Sequence, residues 1–203
     1  MHDDVDRPRF ASARRREIYL QASRLFVERG YDATSMADIA EAVKITKAGL
    51  YHFVKGKEDL LFTIISFGMD ELEAEVVEPA RQVEDARERL EFMIRAHLHN
   101  IGRVGSKSGN PVTLVVDEPW GLTGEKRDAI AQRKLAYFNL IRSTLHELQA
   151  DGRVRPEVDT SVAAHSIIGM ILWTARWRRP GGRLSVEAIV DQIVALAMAS
   201  VAA

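Results

Sequence analysis

The chain has no cysteine, which removes disulfide scaffolds, thiolate zinc sites and cysteine nucleophiles together. It has only six prolines in 203 residues and few alternating β-branched runs, so helix is expected to dominate. No apolar run approaches the ~18 residues a membrane span needs. The longest, Ile167 to Trp173 and Ile193 to Ala203, are too short, and no membrane association is expected. The N-terminus, Met1-His2-Asp3-Asp4-Val5-Asp6, is acidic and has no apolar h-region, so a cytoplasmic protein is expected. Catalytic signatures are missing too: there is no His-Glu-x-x-His, no nucleophile motif and no phosphate-cradling glycine loop. His97 and His99 are two apart and cannot share a helix face, while His146 and His165 stand alone. Asp117-Glu118 sits beside apolar Val115-Val116 and reads as helix surface. No metal, cofactor or enzymatic activity is expected.

What is present suits a folded chain: 46% hydrophobic and 28% charged residues. The net charge of −1 hides an asymmetry. From Arg14 to Lys57 there are nine basic and five acidic residues, a local excess of four positive charges. A basic end on a near-neutral protein is compatible with a polyanionic partner.

The periodicity predicts an all-α protein of about nine helices. Ile18, Ala22, Leu25 and Phe26 share one face of a helix from about Ala13 to Arg29, stopped by Gly30. Ser35 with Asp38 fits a capping box for a short second helix carrying Ile39, Ala40 and Val43 inward. Thr46 caps a third short helix around Leu50, ending at Phe53 or Val54. Lys57-Glu58-Asp59 opens a fourth helix that Pro79 is expected to end or kink. Further helices are expected from Val83 to Ile101, from Pro111 towards Trp120, from Thr123 to Asp151, from Asp159 or Thr160 to Trp177, and after Ser185. Gly102 to Asn110 reads as a loop. The division falls into an N-terminal unit, residues 1–56, and a C-terminal unit, 57–203.

The second and third helices are short and joined by a tight turn, a helix-turn-helix layout. Helices this short are marginal alone and need a clamp of apolar side chains. Ile39, Val43, Ile45 and Leu50 supply it, leaving Thr46, Lys47, Gly49, Tyr51 and His52 outward. The stretch from Phe26 through Gly30-Tyr31, Thr34-Ser35-Met36 and Ile39-Ala40 resembles the start of the TetR family of bacterial transcriptional regulators. The resemblance continues through Ile45-Thr46-Lys47-Ala48-Gly49-Leu50-Tyr51-His52-Phe53 to Lys57-Glu58-Asp59-Leu60.

By position, the resemblance implies that Thr34 or Ser35 holds backbone phosphate at the second helix. It implies that Thr46, Lys47, Ala48 and Gly49 enter the major groove, with Lys47 reading a base. Tyr51 and His52 would touch phosphate or base edges, and Lys57 would hold phosphate. Arg14, Arg15 and Arg16 serve either as a DNA arm or as a solvated helix start. Two positions depart from the family. Lys44 stands where glycine is usual, and His52 directly follows the tyrosine, with Phe53 where histidine is often found.

For the remainder, the resemblance implies a domain that binds a small molecule and a homodimer formed by the two C-terminal helices. Asp151-Gly152-Arg153-Val154-Arg155-Pro156 and the run from Trp173 through Arg176-Trp177-Arg178-Arg179-Pro180 to Ser185 resemble regulators of fatty-acid, aromatic or steroid catabolism. Many of those respond to acyl-CoA thioesters. Phe92, Met93, Trp120, Tyr137, Phe138, Ile141 and Trp173 are candidates for an apolar ligand site, with Arg176, Arg178 and Arg179 for an anionic head. The reading is a ligand-released repressor of a palindromic operator. The alternatives are an activator, an architectural DNA binder, or a scaffold with a vestigial helix-turn-helix.

Overall fold

The computed structural model describes residues 13–104, 121–179 and 181–203. Among them are eight helical rods and no strand. Trp120, Asp117-Glu118, Pro180 and the expected helix from Pro111 to Trp120 lie outside the described residues.

Helix α1 (Ala13–Arg29) turns Ile18, Ala22, Leu25 and Phe26 inward and stops at Gly30, which takes a positive φ of 88°. Helix α2 (Met36–Ala42) opens with the capping box: Asp38 N donates to Ser35 Oγ at 3.2 Å and Ser35 N to Asp38 Oδ2 at 2.7 Å. The Ser35 hydroxyl also donates to Asp38 Oδ2 at 2.5 Å, and this bond, then the one from the Ser35 amide, holds the Asp38 carboxyl below its ordinary range.

The end of α2 is a Schellman turn. Lys44 N donates to Glu41 O and Ile45 N to Ala40 O, both at 3.0 Å. Lys44 occupies the left-handed position with φ 55°, the single non-glycine residue there among those described. The family's usual glycine therefore has a conformational reason. The lysine accepts a strain on the order of 1 kcal/mol to keep the same turn. Arg14 reaches across from α1 to donate to Val43 O at 2.6 Å, so it braces this turn from inside the protein.

Helix α3 (Lys47–Tyr51) is capped by Thr46, whose Oγ1 accepts from Gly49 N at 3.0 Å. Leu50 and Val54 point inward to join Ile39 and Val43. Each such burial contributes about 1.5–3 kcal/mol, which is what two very short helices need.

Helix α4 (Lys57–Leu72) does not stop where its α-helical hydrogen bonding ends. It widens into a π-helical turn (Glu73–Val77), then makes one more α-helical turn (Glu78–Ala80) containing Pro79. Proline has no N–H to continue the ladder, and the slip to i→i+5 bonding just before it accommodates the break. Glu78 N accordingly donates to Glu73 O. Pro79 thus ends a widened rod and does not cut the helix off earlier.

The larger part is built around α5 (Ala86–Val104), which packs on the π turn, on α6 (Gly124–Ala150), on α7 (Thr160–Trp177) and on α8 (Val186–Val201). Helix α5 starts three residues later than Val83 and runs to Val104, so residues 102–104 are helix where a loop was expected. Asp85 caps it by accepting from Arg87 N and Glu88 N, at 2.8 and 3.0 Å. It also meets Arg153 at 2.8 Å. The guanidinium, then the two amides, hold the Asp85 carboxyl down at about 2. Asp159 and Ser185 cap α7 and α8. Leu90, Met93, Ile94, Ile101, Ile130, Ile141 and Leu145 fill the core. Met93 and Ile141, expected at a ligand, are core residues, and Phe92 is half-buried against that core. No helix among the described residues is long and apolar enough to cross a membrane.

Candidate nucleic-acid interface and ligand cavity

The outward side of α3 presents Thr46, Lys47, Ala48, Tyr51 and His52 to solvent, with Gly49 half-buried beneath them. Gly49 has a local reason: a side chain there would approach Thr46 Oγ1 to 3.2 Å and crowd the cap. Ser35 is exposed at the start of α2, its hydroxyl engaged with Asp38. Lys44, Lys47 and Lys55 are exposed around this surface.

Two residues assigned to phosphate are placed otherwise. Thr34 is 0% exposed, and its hydroxyl donates to Gly30 O at 2.8 Å, where it ties down the end of α1. Lys57 Nζ donates to Tyr31 O and Thr34 O at 2.9 Å each, and to Asp32 O at 3.4 Å. An ammonium has three hydrogens, and these three carbonyls engage them. The same Nζ lies 4.2 Å from the centre of the Tyr31 ring. The first residue of α4 therefore grips the turn that feeds α2.

That grip extends into the larger part of the protein. Tyr31 packs at a tilt against Phe26, ring centres 5.3 Å apart, and also covers Gly121, where its ring leaves no room for a Cβ. Glu58 Oε1 accepts from Thr123 N at 2.8 Å and from its hydroxyl at 2.9 Å, capping the start of α6 from α4. Those two bonds hold the Glu58 carboxyl below its ordinary range, the amide contributing most. Asp59 faces Lys126 at 3.4 Å and Asp70 faces Arg133 at 2.8 Å. Helices α4 and α6 are thus tied along most of their shared length.

A cavity of about 260 Å³ opens between α4, α5, α6 and α7. Its apolar lining is Gly68, Met69 and Leu72 from α4, Phe138 from α6, and Ile168 and Leu172 from α7. Its polar lining is His97 and Asn100 from α5, Lys134 and Tyr137 from α6, and His165 from α7. His97 Nδ1 and Tyr137 OH are 3.0 Å apart and buried. Burial pushes His97 down to about 4 and raises Tyr137, so both are neutral at pH 7. Asn100 Nδ2 donates to Glu75 Oε2 at 2.7 Å, which joins the cavity wall to the π turn. Among the described residues no group of three His, Asp or Glu is placed to hold a metal ion.

Of the candidate ligand residues, Tyr137 and Phe138 line this cavity. Trp173 does not: it is 61% exposed on the far face of α7, with Arg176 6.0 Å from its ring. Reading aromatics one by one missed His97, Asn100, Lys134 and His165. The signal was available for two of them. Met93, His97 and Asn100 fall at i, i+4 and i+7 on the buried face of α5, so two polar residues sit where the register demands core.

Comparison with known proteins agrees with this layout. Residues 18–64 match the family model described as bacterial regulatory proteins, tetR family, and residues 83–201 match the tetracyclin repressor-like C-terminal domain. The HTH-type transcriptional repressor KstR2 of Rhodococcus jostii is 28% identical over 188 residues, covering 92% of this chain and 90% of that protein. The crystal structure of AibR in complex with isovaleryl coenzyme A and operator DNA is 38% identical, with a TM-score of 0.80, over 90% of this chain and 97% of that one. The ketosteroid transcriptional regulator KstR2 of Mycobacterium tuberculosis is 25% identical with a TM-score of 0.85, over 95% and 96% of the two chains. With a helix-turn-helix at one end, a lined cavity at the other and matching models across both, this chain belongs to the TetR family of transcriptional regulators.

Proposed function

We propose that the protein is a homodimeric repressor that binds a palindromic operator through α3 and is released by an acyl-CoA thioester. One observation carries the reading: the cavity is walled by α4, and the first residue of α4 holds the turn that positions the helix-turn-helix. A ligand against Met69 and Leu72 acts on the same rod that ends at Lys57. Ser35, Thr46, Lys47, Ala48, Gly49, Tyr51 and His52 form the DNA face, with Lys47 as the base reader.

The dimer reading is supported by apolar side chains on one outer stripe of α7. Val162, Trp173 and Trp177 are exposed at spacings of eleven and four, and Leu196 is exposed on α8. A two-fold pair would set the two recognition helices about 34 Å apart. The thioester class is supported by AibR, whose structure holds isovaleryl coenzyme A and operator DNA. A cavity of 150 Å³ holds one benzene-sized ring, so about 260 Å³ suits a compact acyl group and leaves the nucleotide outside. The presence of such a cavity also argues against a purely architectural DNA binder.

The test is binding to the DNA upstream of its own coding sequence, titrated with isovaleryl-CoA and with isovalerate. Release by the thioester alone is the expected result. Specific binding that neither compound disturbs would remove the ligand assignment and leave a DNA-binding regulator.

A further inference from the structure

Resting on the acyl-thioester reading, we propose that the His97–Tyr137 pair is the specificity element of the cavity, a neutral clamp for the ligand's carbonyl oxygen. The two side chains come from different helices and meet 3.0 Å apart on the wall of the cavity. Their rings pack edge to face at 5.3 Å, which fixes the pair in one orientation.

The chemistry follows from counting hydrogens. One hydrogen lies between Nδ1 and the phenol oxygen. If tyrosine donates, His97 keeps an Nε2–H donor. If histidine donates, the tyrosine hydroxyl keeps its hydrogen as the donor. In both tautomers the pair retains one donor and one acceptor beyond its own bond. A carbonyl oxygen takes the donor, and the acceptor is left for water or a ligand hydroxyl. Because burial keeps both groups neutral at pH 7, the clamp carries no charge to balance a carboxylate. Lys134 lines the same cavity, so discrimination by the pair rests on the carbonyl oxygen and not on charge. The thioester presents that oxygen with no charge. In the same cavity, Met69, Leu72 and Leu172 offer only apolar contact to the chain attached to it.

The test compares isovaleryl-CoA with its S-isopentyl thioether, which has the same head and chain and replaces only the C=O by CH₂. Calorimetric affinities are measured on the full-length wild type and on Tyr137→Phe. His97→Phe is measured beside it, because the free donor is His97 Nε2–H in one tautomer and the Tyr137 hydroxyl in the other. The inference predicts that wild type binds the thioester at least about tenfold tighter than the thioether, the worth of one buried hydrogen bond. It also predicts that the gap falls below about threefold in the variant that removes the donor, through loss of thioester affinity. Equal affinities in wild type would overturn the clamp while leaving the acyl-CoA reading intact. A gap that survives in both variants would place the carbonyl elsewhere and overturn it too. Failure of both compounds to bind wild type would remove the thioester reading and this inference with it.

Discussion

At the scale of single residues, Lys44 and Lys47 carry opposite lessons. Lys44 holds a left-handed backbone that costs an L-residue about 1 kcal/mol. Lys44→Gly is therefore expected to raise stability by roughly 0.5–1 kcal/mol in urea unfolding, against the usual entropic loss on adding glycine. An unchanged or lower midpoint would mean that the lysine makes a compensating contact. Lys47 is exposed at the start of α3, next to the Thr46 cap. As a base reader, Lys47→Ala should lose about 1–3 kcal/mol on the operator and far less on random DNA. Equal losses on both would reduce it to a phosphate contact. The departure at Lys44 was legible in the sequence, because only a backbone sign had to be inferred. The burial of Thr34 was not. Its hydroxyl donates to Gly30 O four residues back, and the residue is buried where α4 closes on that turn through Lys57, a long-range contact that no local pattern encodes.

At the scale of elements, the short helices were readable to within a residue or two because capping is local. Ser35, Thr46, Asp159 and Ser185 cap where their side chains and spacing required. The path of α4 past Leu72 was not readable, since a π turn before Pro79 depends on the helices packed against it. Nor was the partner of Lys57. Dipole logic makes a cation in a first turn look available to phosphate, whereas three carbonyls of the α1–α2 turn engage it. Lys57→Met should accordingly destabilise the isolated protein, in the absence of DNA, by at least about 1.5 kcal/mol. A melting temperature equal to wild type, with only DNA binding reduced, would return Lys57 to the phosphate role.

At the scale of the whole molecule, the chain divides its apolar surface between a core, a cavity and an outer stripe. Sequence pattern showed that α7 and α8 were apolar on more than one face. It did not show which face went where, so Trp173 was assigned to a ligand and stands instead on the outer stripe. If that stripe is the two-fold interface, Trp173→Glu and Leu196→Glu should each shift the protein towards monomer in sedimentation. Operator affinity should fall by well over tenfold, because one recognition helix then binds without its twin. A stable dimer in both variants would move the interface elsewhere.

The central claim is that cavity and DNA face share one energetic coupling through α4. Thermodynamic linkage makes that claim testable from the ligand side. If thioester weakens operator binding ~100-fold, about 2.7 kcal/mol of coupling, operator must weaken thioester binding by the same factor. The measurement is the isovaleryl-CoA affinity of the full-length protein, free and saturated with its operator. The account predicts equal factors from the two directions. A thioester affinity unchanged by bound operator would contradict it.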